Sequence, residues 1–165
     1  TMRKPVIASA RGFAVANGAG IVLAADLAVI AENTRFAVPA VNIGLFCMGP
    51  AVPLSRTMPR KRAMELLLLG DLISAEQALE WGLVNRVVPD DQLEAATAEM
   101  AANLAAKSPV AVQMGKEAIH RMADMTIPDA LTYSNEMFAS LCVTEDAREG
   151  VDAFLNKRKA VWKGC

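Results

Sequence analysis

The apolar residues of the chain follow two patterns, and the pattern changes at about residue 89. Before that point they form short continuous runs between turn residues, which is typical of buried strands in a parallel sheet. These runs predict strands at residues 6–10, 27–31, 35–37 and 83–88. Beyond residue 89 the apolar residues recur at helical spacing, as in the stripe of Leu93, Ala96, Met100 and Leu104.

Capping residues predict where the helices begin. The first helix is expected to start at Asn17 or Gly18, directly after a turn of small residues. Ser74 opens a capping box, and Ser108 is an N-cap followed by proline at the first helical position. Residues 41–44 are predicted to be extended or irregular, and residues 45–53 to form a loop that leads into a short helix. The other predicted helices cover residues 51–57, 60–69, 91–107, 109–122, 128–141 and 145–158.

The pattern therefore predicts an α/β protein with two regions, a mixed α/β core at residues 1–89 and a helical region at residues 90–165. Within the core, residues 6–26 are predicted to form strand, small-residue turn and helix. The free N–H groups at the start of such a helix can accept a ligand oxygen. The alternative is a tightly packed strand–helix crossover that binds nothing.

Composition narrows the possible functions. The chain is 53% hydrophobic, so either its helices bury more than one face or another subunit covers a large surface. A net charge of −1 gives no electrostatic footprint for nucleic acid. Asp26 interrupts the apolar stretch at residues 18–31, so no membrane span is expected, and no signal peptide opens the chain. Three cysteines without CxxC spacing and a single histidine predict a reducing compartment and no metal site.

Four segments carry a family resemblance: residues 5–30 (PVIASARGFAVANGAGIVLAADLAVI), 35–46 (RFAVPAVNIGLF), 62–89 (RAMELLLLGDLISAEQALEWGLVNRVVP) and 149–162 (EGVDAFLNKRKAVW). Together they resemble the crotonase (enoyl-CoA hydratase/isomerase) superfamily. The resemblance implies a crotonase-like spiral of β-β-α units followed by C-terminal helices that build a homotrimer, often paired into a hexamer. The chain looks like the C-terminal two-thirds of the family's length, and it begins almost directly on a predicted buried strand, as a fragment of a longer protein does.

The resemblance also implies the ligand, an acyl-CoA thioester, with CoA as part of the substrate and no separate cofactor. The family polarises the thioester carbonyl with two backbone N–H groups. One maps to Asn17, and the other belongs to a motif upstream of Thr1. The two positions that touch CoA in the C-terminal helices map to Phe138 and Lys157. The further substrate-binding candidates near the turn are Gly18, Asn42 and Phe46.

The departures from the family affect its catalytic carboxylates. The two glutamates that position and activate water in hydratases of the family map to Gly20 and Ala40, and neither residue can exchange a proton. No Asp, Glu or His occurs in residues 11–25 or 36–60, although hydration needs such groups beside the reacting carbons. Two hypotheses follow. One is an enzyme that only stabilises an enolate or draws its acid–base group from upstream; the other is a non-catalytic acyl-CoA-binding or assembly protein.

Several single residues have both a chemical and a structural interpretation. Cys47 is expected to be a packed thiol, because its loop offers no base. Asn42 either orients a water molecule or the thioester, or its side chain forms a hydrogen bond within the turn. His120 is expected to be solvated, and Asp26 structural. Residues 18–20 lack the spacing of a dinucleotide-binding loop. The family occurs in the cytoplasm of bacteria and in mitochondria, so either compartment fits.

Overall fold

A computed structural model describes residues 2–165 of the chain. They divide into two compact units. The first unit is Val6–Ala101, and the second combines Ala102–Cys165 with residues 2–5. The proposed division at residue 89 between a spiral core and an oligomerisation region concerns assembly, and it stays a prediction.

The first unit contains two three-stranded sheets. In one sheet, β1 (Ile7–Ala10) and β6 (Arg86–Val88) both pair in parallel with β3 (Leu27–Ala31), as the continuous apolar runs predict. The second sheet consists of β2 (Phe13–Val15), β4 (Arg35–Ala37) and β5 (Ile73–Ser74). Strand β2 is parallel to β4, and β5 is antiparallel to it. Each of β1 and β2 therefore precedes a parallel partner that lies beyond the first helix.

Helices cover and connect the sheets of the first unit. The helices, in chain order, are α1 (Asn17–Ala24), a 3-10 helix (Pro39–Ile43), α2 (Met48–Thr57), α3 (Arg60–Leu69), α4 (Ala75–Glu80), a second 3-10 helix (Asp90–Gln92) and α5 (Leu93–Ala105), which runs on into the second unit. Helix α4 opens with the predicted capping box at Ser74. Gly70 ends α3 in a left-handed conformation, which glycine adopts without steric cost.

Four sequence predictions in this unit were wrong in detail. Residues 13–15, predicted as part of the small-residue turn, form strand β2, because they pair with β4. Residues 41–43 belong to a 3-10 helix rather than to an extended segment. Helix α2 begins at Met48, three residues before the predicted start, because Pro50 falls in its first turn, where a missing N–H breaks no helical bond. The predicted strand at residues 83–88 is reduced to its last three residues.

The core of the first unit lies between the sheets and their helices. Its largest fully buried side chains include Phe36 of β4, Ile30 of β3, Leu54 of α2 and Leu66 of α3. Alanines fill much of the remaining contact surface, which allows the turns and helices to approach closely. This close packing fixes the β2–α1 turn and helix α2 against the same core.

The second unit consists mainly of α6 (Pro109–Met122), α7 (Ile127–Cys142) and α8 (Glu145–Leu155). Each begins after a side-chain N-cap, provided by Ser108, Thr126 and Thr144. Helix α8 ends three residues before the predicted end. No helix within residues 2–165 combines the length and apolar character that a bilayer crossing requires.

Candidate functional site

The turn between β2 and α1 holds its backbone in an unusual conformation. Ala16 has φ 52° and ψ −119°, a region that residues with a β-carbon rarely occupy. Its N–H donates to the Ala37 carbonyl at 2.9 Å, which ties the turn to the end of β4. Its carbonyl accepts the Gly20 N–H at 3.1 Å, so α1 starts immediately. The turn is therefore fixed by backbone hydrogen bonds on both sides.

Asn17 and Gly18 lie at the exposed start of α1. Their N–H groups precede the first intrahelical hydrogen bond, and among the described residues no side chain caps this helix. The first turn also carries no acidic residue. The positive end of the helix is thus open to a ligand oxygen, as an oxyanion site needs. Asn17 begins the helix as predicted, and its ligand contact stays a prediction.

The position of the first family glutamate is closed off by α2. A β-carbon on Gly20 would lie 3.1 Å from Pro50 Cγ and 3.6 Å from Pro50 Cα. Gly20 is therefore a point of close contact between α1 and α2. Ala40, the position of the second glutamate, is half-buried in the first 3-10 helix, and its carbonyl accepts the Leu45 N–H at 3.0 Å.

The other candidates beside the turn have structural contacts. The Asn42 amide donates to the Gly70 carbonyl at 3.5 Å, which is a contact with the residue that ends α3 and not a hydrogen bond within the turn of Asn42 itself. Phe46 is half-buried and packs on the core. Cys47 is only 8% exposed, as a packed thiol should be, and its carbonyl accepts the Ala51 N–H. The Asp26 carboxylate accepts the Val6 N–H at 2.7 Å, the structural role predicted for it.

The surface next to these residues is apolar and uncharged. Four large side chains in α1, the 3-10 helix, the following loop and the start of α2 are more than 60% exposed: Ile21, Ile43, Leu45 and Met48. The chain between Phe36 and Ser55 contains no ionisable acid or base other than the buried thiol. This surface can therefore contact a hydrocarbon chain, and its side chains supply no group for moving protons.

Two further candidates lie in the second unit. Phe138 of α7 is 66% exposed. Lys157 follows α8 and has φ 51°, a left-handed conformation. The Lys157 N–H donates to the Phe154 carbonyl at 3.2 Å, and the Arg158 N–H to the Ala153 carbonyl at 3.0 Å. This is the hydrogen-bond pattern of a Schellman turn, in which glycine usually occupies the position of Lys157.

An ion pair clamps that turn to α8. Arg158 Nη1 and Nη2 donate to Glu149 Oε1 and Oε2 at 2.6 and 2.8 Å, and Nη2 also reaches Asp152 at 2.5 Å. The Val161 N–H donates to Glu149 Oε1 at 2.8 Å. The Arg158 guanidinium, followed by this backbone donor, lowers the pKa of Glu149 to about 2. Glu149 also raises the pKa of Arg158, so the pair stays charged across the physiological range.

A buried carboxylate organises the end of the second unit, and sequence reasoning missed it. Asp146 is 1% exposed, and its carboxylate accepts hydrogen bonds from the Ser108 hydroxyl at 2.7 Å and from the Lys163 and Gly164 N–H groups at 2.7 and 3.0 Å. The Ser108 contact is the largest cause that lowers the pKa of Asp146. The only advance signal was an acidic residue in the first turn of α8, which ordinarily indicates a solvated helix start.

The remaining sequence predictions concern metals and histidine. Within residues 2–165, no group of three or more His, Cys, Asp or Glu side chains comes together as metal ligands would. His120 is exposed on α6. The described geometry thus consists of an open backbone N–H site beside an apolar surface in the first unit, and a clamped lysine turn in the second.

Known proteins share this combination of β-β-α core, strand–helix turn and C-terminal helices. The family model for enoyl-CoA hydratase/isomerase matches residues 1–165, so the chain belongs to the enoyl-CoA hydratase/isomerase family. Its fold is the crotonase fold, as the sequence resemblance predicted.

Three relatives show the extent of the similarity. Enoyl-CoA hydratase domain-containing protein 3, mitochondrial, from Xenopus laevis is 40% identical over 162 residues, which are 98% of this chain and 55% of the relative. A crystal structure of enoyl-CoA hydratase from Mycobacterium smegmatis matches with TM-score 0.94 and 41% identity, over 97% of this chain and 62% of that one. The crystal structure of human enoyl-CoA hydratase domain-containing protein 3 matches with TM-score 0.92 and 39% identity, over 97% and 63%.

These relatives confirm the branch of the family that the segments VNIGLFC (residues 41–47) and PRKRAMELL (residues 59–67) indicate, that of enoyl-CoA hydratase domain-containing protein 3. The chain spans about half the length of the curated relatives of that branch. Residues that act in the whole protein can therefore lie outside residues 1–165.

Proposed function

We propose that this chain forms part of an acyl-CoA site in which the Asn17 N–H holds the thioester carbonyl oxygen. The observation that carries this proposal is the fixed turn at Ala16, which leaves the first N–H groups of α1 open and uncapped. A backbone donor at a helix start stabilises the negative charge that develops on a thioester oxygen when an enolate forms. Family resemblance implies a second donor from a segment upstream of Thr1.

The acyl chain is proposed to lie along the apolar surface of Ile43, Leu45 and Met48, beside Gly18, Asn42 and Phe46. The exposed large side chains of that surface and its lack of charge support this placement. In the second unit, Phe138 and Lys157 are proposed to contact CoA. The ligand supplies the reactive thioester itself, so the proposal needs no separate cofactor or metal.

The proposed chemistry stops at stabilising the enolate. Hydration of an enoyl double bond needs one group to deprotonate water and another to protonate carbon. Gly20 and Ala40 carry no such group, and the chain around the turn supplies no carboxylate or histidine in their place. We therefore propose an acyl-CoA-binding member of the family without hydration through the two-glutamate route. The second candidate is a hydratase or isomerase whose acid–base group lies in a part of the whole protein beyond this sequence, which the length of its relatives favours.

Assembly and compartment are further proposals. Exposed apolar side chains on α7 and α8, including Ile127, Leu131, Phe138 and Phe154, favour contact with another subunit, and the family resemblance implies a homotrimer or a dimer of trimers. Multi-angle light scattering of the complete gene product tests this, and a monomer at micromolar concentration contradicts it.

The near-zero net charge gives no reason to propose a nucleic-acid partner. The cytoplasm or the mitochondrion is proposed, the latter because a relative's name places that protein there.

Two variants of one residue test the oxyanion contact in the complete gene product. Asn17→Pro removes the N–H at the first helical position, where proline is tolerated, and Asn17→Ala keeps it. We expect Asn17→Pro to weaken butyryl-CoA binding by up to about tenfold, the value of one hydrogen bond, and Asn17→Ala to leave it unchanged. Calorimetry measures the affinities, and circular dichroism checks the fold. Equal affinities in two folded variants contradict the proposed role of Asn17.

A turnover assay separates the two candidate functions. Crotonyl-CoA hydration is followed by the loss of absorbance of the conjugated thioester. We expect no turnover near the order of 1 s⁻¹ that enzymes commonly reach. Turnover at such a rate in the complete protein overturns the non-hydrating proposal and favours an acid–base group outside this sequence.

A further inference from the structure

The turn after α8 places a lysine where the backbone favours glycine. Lys157 occupies the left-handed position of the Schellman turn with φ 51°. A residue with a β-carbon is strained there, whereas glycine is not. The side chain is exposed, and among the described residues no carboxylate forms an ion pair with it. A strained, uncompensated cation is a feature that a purely structural turn does not need.

The residues around Lys157 explain how this strained turn is kept. Glu149 bonds both terminal nitrogens of Arg158 and also the Val161 N–H, so a single carboxylate fixes the chain directly after the lysine. On the other side, the Asn156 amide donates to the Asp152 carbonyl and carboxylate, at 2.9 Å each. The backbone on both sides of Lys157 is thus held by α8, and only the lysine side chain projects free of it.

We propose that Glu149, acting through Arg158, is a positioning residue that holds Lys157 ready to bind a phosphate group of the CoA nucleotide. The inference rests on the proposed function, because it takes CoA as the ligand. An ammonium group binds phosphate as a point charge, and fixing its backbone lowers the ordering cost of binding. Glu149 itself touches no ligand in this scheme. Breaking the clamp therefore weakens the nucleotide contact and leaves the thioester contact intact.

Two probes separate the nucleotide contact from the thioester contact. Butyryl-CoA carries the phosphates, and S-butyrylpantetheine carries the same thioester without any nucleotide. The wild-type complete gene product should bind butyryl-CoA more tightly than S-butyrylpantetheine. We expect Lys157→Gly and Glu149→Gln each to weaken butyryl-CoA binding about fivefold, the effect of one exposed charge pair. Both variants should bind S-butyrylpantetheine as the wild type does.

The melting temperature separates a binding role of Lys157 from a structural one. If Lys157 served the stability of the turn, replacing it with glycine would lower the melting temperature. Lys157→Gly relieves the left-handed strain, so its melting temperature should rise while its affinity for butyryl-CoA falls. Lys157→Arg keeps the charge and should retain the affinity within about twofold. Glu145→Gln is the matched control for Glu149→Gln, because it breaks an exposed ion pair of the same helix, with Lys163, that does not reach the turn. It should leave both affinities unchanged.

The outcomes distinguish the inference from the function on which it rests. If the wild type binds neither probe, the proposed function fails and the inference fails with it. If S-butyrylpantetheine binds as tightly as butyryl-CoA, the function stands and the nucleotide contact is refuted. If Lys157→Gly lowers the affinity but a folded Glu149→Gln does not, Lys157 binds the nucleotide and Glu149 does not position it.

Discussion

Gly20 offers a sharp test of how this chain departs from the hydratases of its family. A β-carbon at Gly20 would approach Pro50 Cγ to 3.1 Å, which is closer than about nine in ten real contacts of this kind. Gly18, in the same helix, has open space at the equivalent point. The two glycines therefore separate the cost of crowding α2 from the general preference of helices for alanine.

The expected changes in the free energy of unfolding follow from helix propensity and from the crowding of α2. Alanine is favoured over glycine inside a helix by about 1 kcal/mol. Overpacking a filled site costs about 1–3 kcal/mol. Gly20→Ala should therefore range from neutral to about 2 kcal/mol less stable, taking the two terms together. Gly18→Ala, which meets no neighbour, should gain up to about 1 kcal/mol.

Replacing the neighbour completes the test. In a Pro50→Ala background the crowding atom is gone, so Gly20→Ala should stabilise the protein as Gly18→Ala does. The double-mutant cycle should give a coupling energy of about 1–3 kcal/mol between residues 20 and 50. Urea unfolding with linear extrapolation measures all the variants. Additive effects at residues 20 and 50, or equal gains from Gly20→Ala and Gly18→Ala, would refute the steric argument.

The contact between residues 20 and 50 also determines whether a glutamate can be placed in α1 to restore hydration. Placing glutamates at Gly20 and Ala40 should produce crotonyl-CoA hydration only when Pro50→Ala makes room for the first of them. The triple variant should show turnover that the Gly20→Glu, Ala40→Glu protein lacks. Equal turnover with and without Pro50→Ala would mean that α2 yields easily and that the absent carboxylates alone prevent hydration.

Three further predictions test the turns and the buried carboxylate. Ser108→Ala removes both the cap of α6 and a hydroxyl donor to the buried Asp146, so it should lower the free energy of unfolding in urea by about 2–4 kcal/mol. Thr144→Ala removes only the cap of α8 and should lower it by about 1 kcal/mol. Ala16→Gly should stabilise the protein by about 0–2 kcal/mol, because relief of strain exceeds the added chain entropy; a loss would contradict it. The lowered pKa of Glu149 contributes stability that is full above its ordinary pKa of 4.5 and is lost as pH falls towards about 2, so Arg158→Gln should flatten the acid limb of a stability–pH profile.

Local signals in the sequence sufficed for most helix starts. The hydroxyls of Ser74, Ser108, Thr126 and Thr144 each accept an N–H from three residues further along, and each helix begins directly after its cap. Only the helix after Thr126 begins one residue earlier than predicted, at Ile127. Such caps act within a single turn, so no distant contact is needed to read them. The apolar run at residues 27–31 likewise predicted the central strand β3, because a strand buried on both faces leaves a continuous apolar signature.

Features that depend on distant partners could not be predicted. Strand β2 has three residues and exists only because it pairs with β4, some twenty residues later. The closeness of Gly20 and Pro50 arises from the packing of two helices, which neither glycine nor proline signals. The end of α8 was missed because a lysine replaces the glycine that ordinarily marks a Schellman turn.

Within residues 2–165, the two non-glycine residues with positive φ are Ala16 and Lys157. Each lies at or next to a residue that is proposed to contact acyl-CoA, Asn17 in the first unit and Lys157 itself in the second. Selection for stability alone favours glycine at each, since glycine adopts these conformations without strain. A binding role favours the β-carbon residue, because a stiffer turn loses less entropy when it contacts a ligand. Glycine at either position should therefore raise stability and lower affinity for acyl-CoA. A glycine variant that gains in both respects would show that the strain at that position serves no ligand.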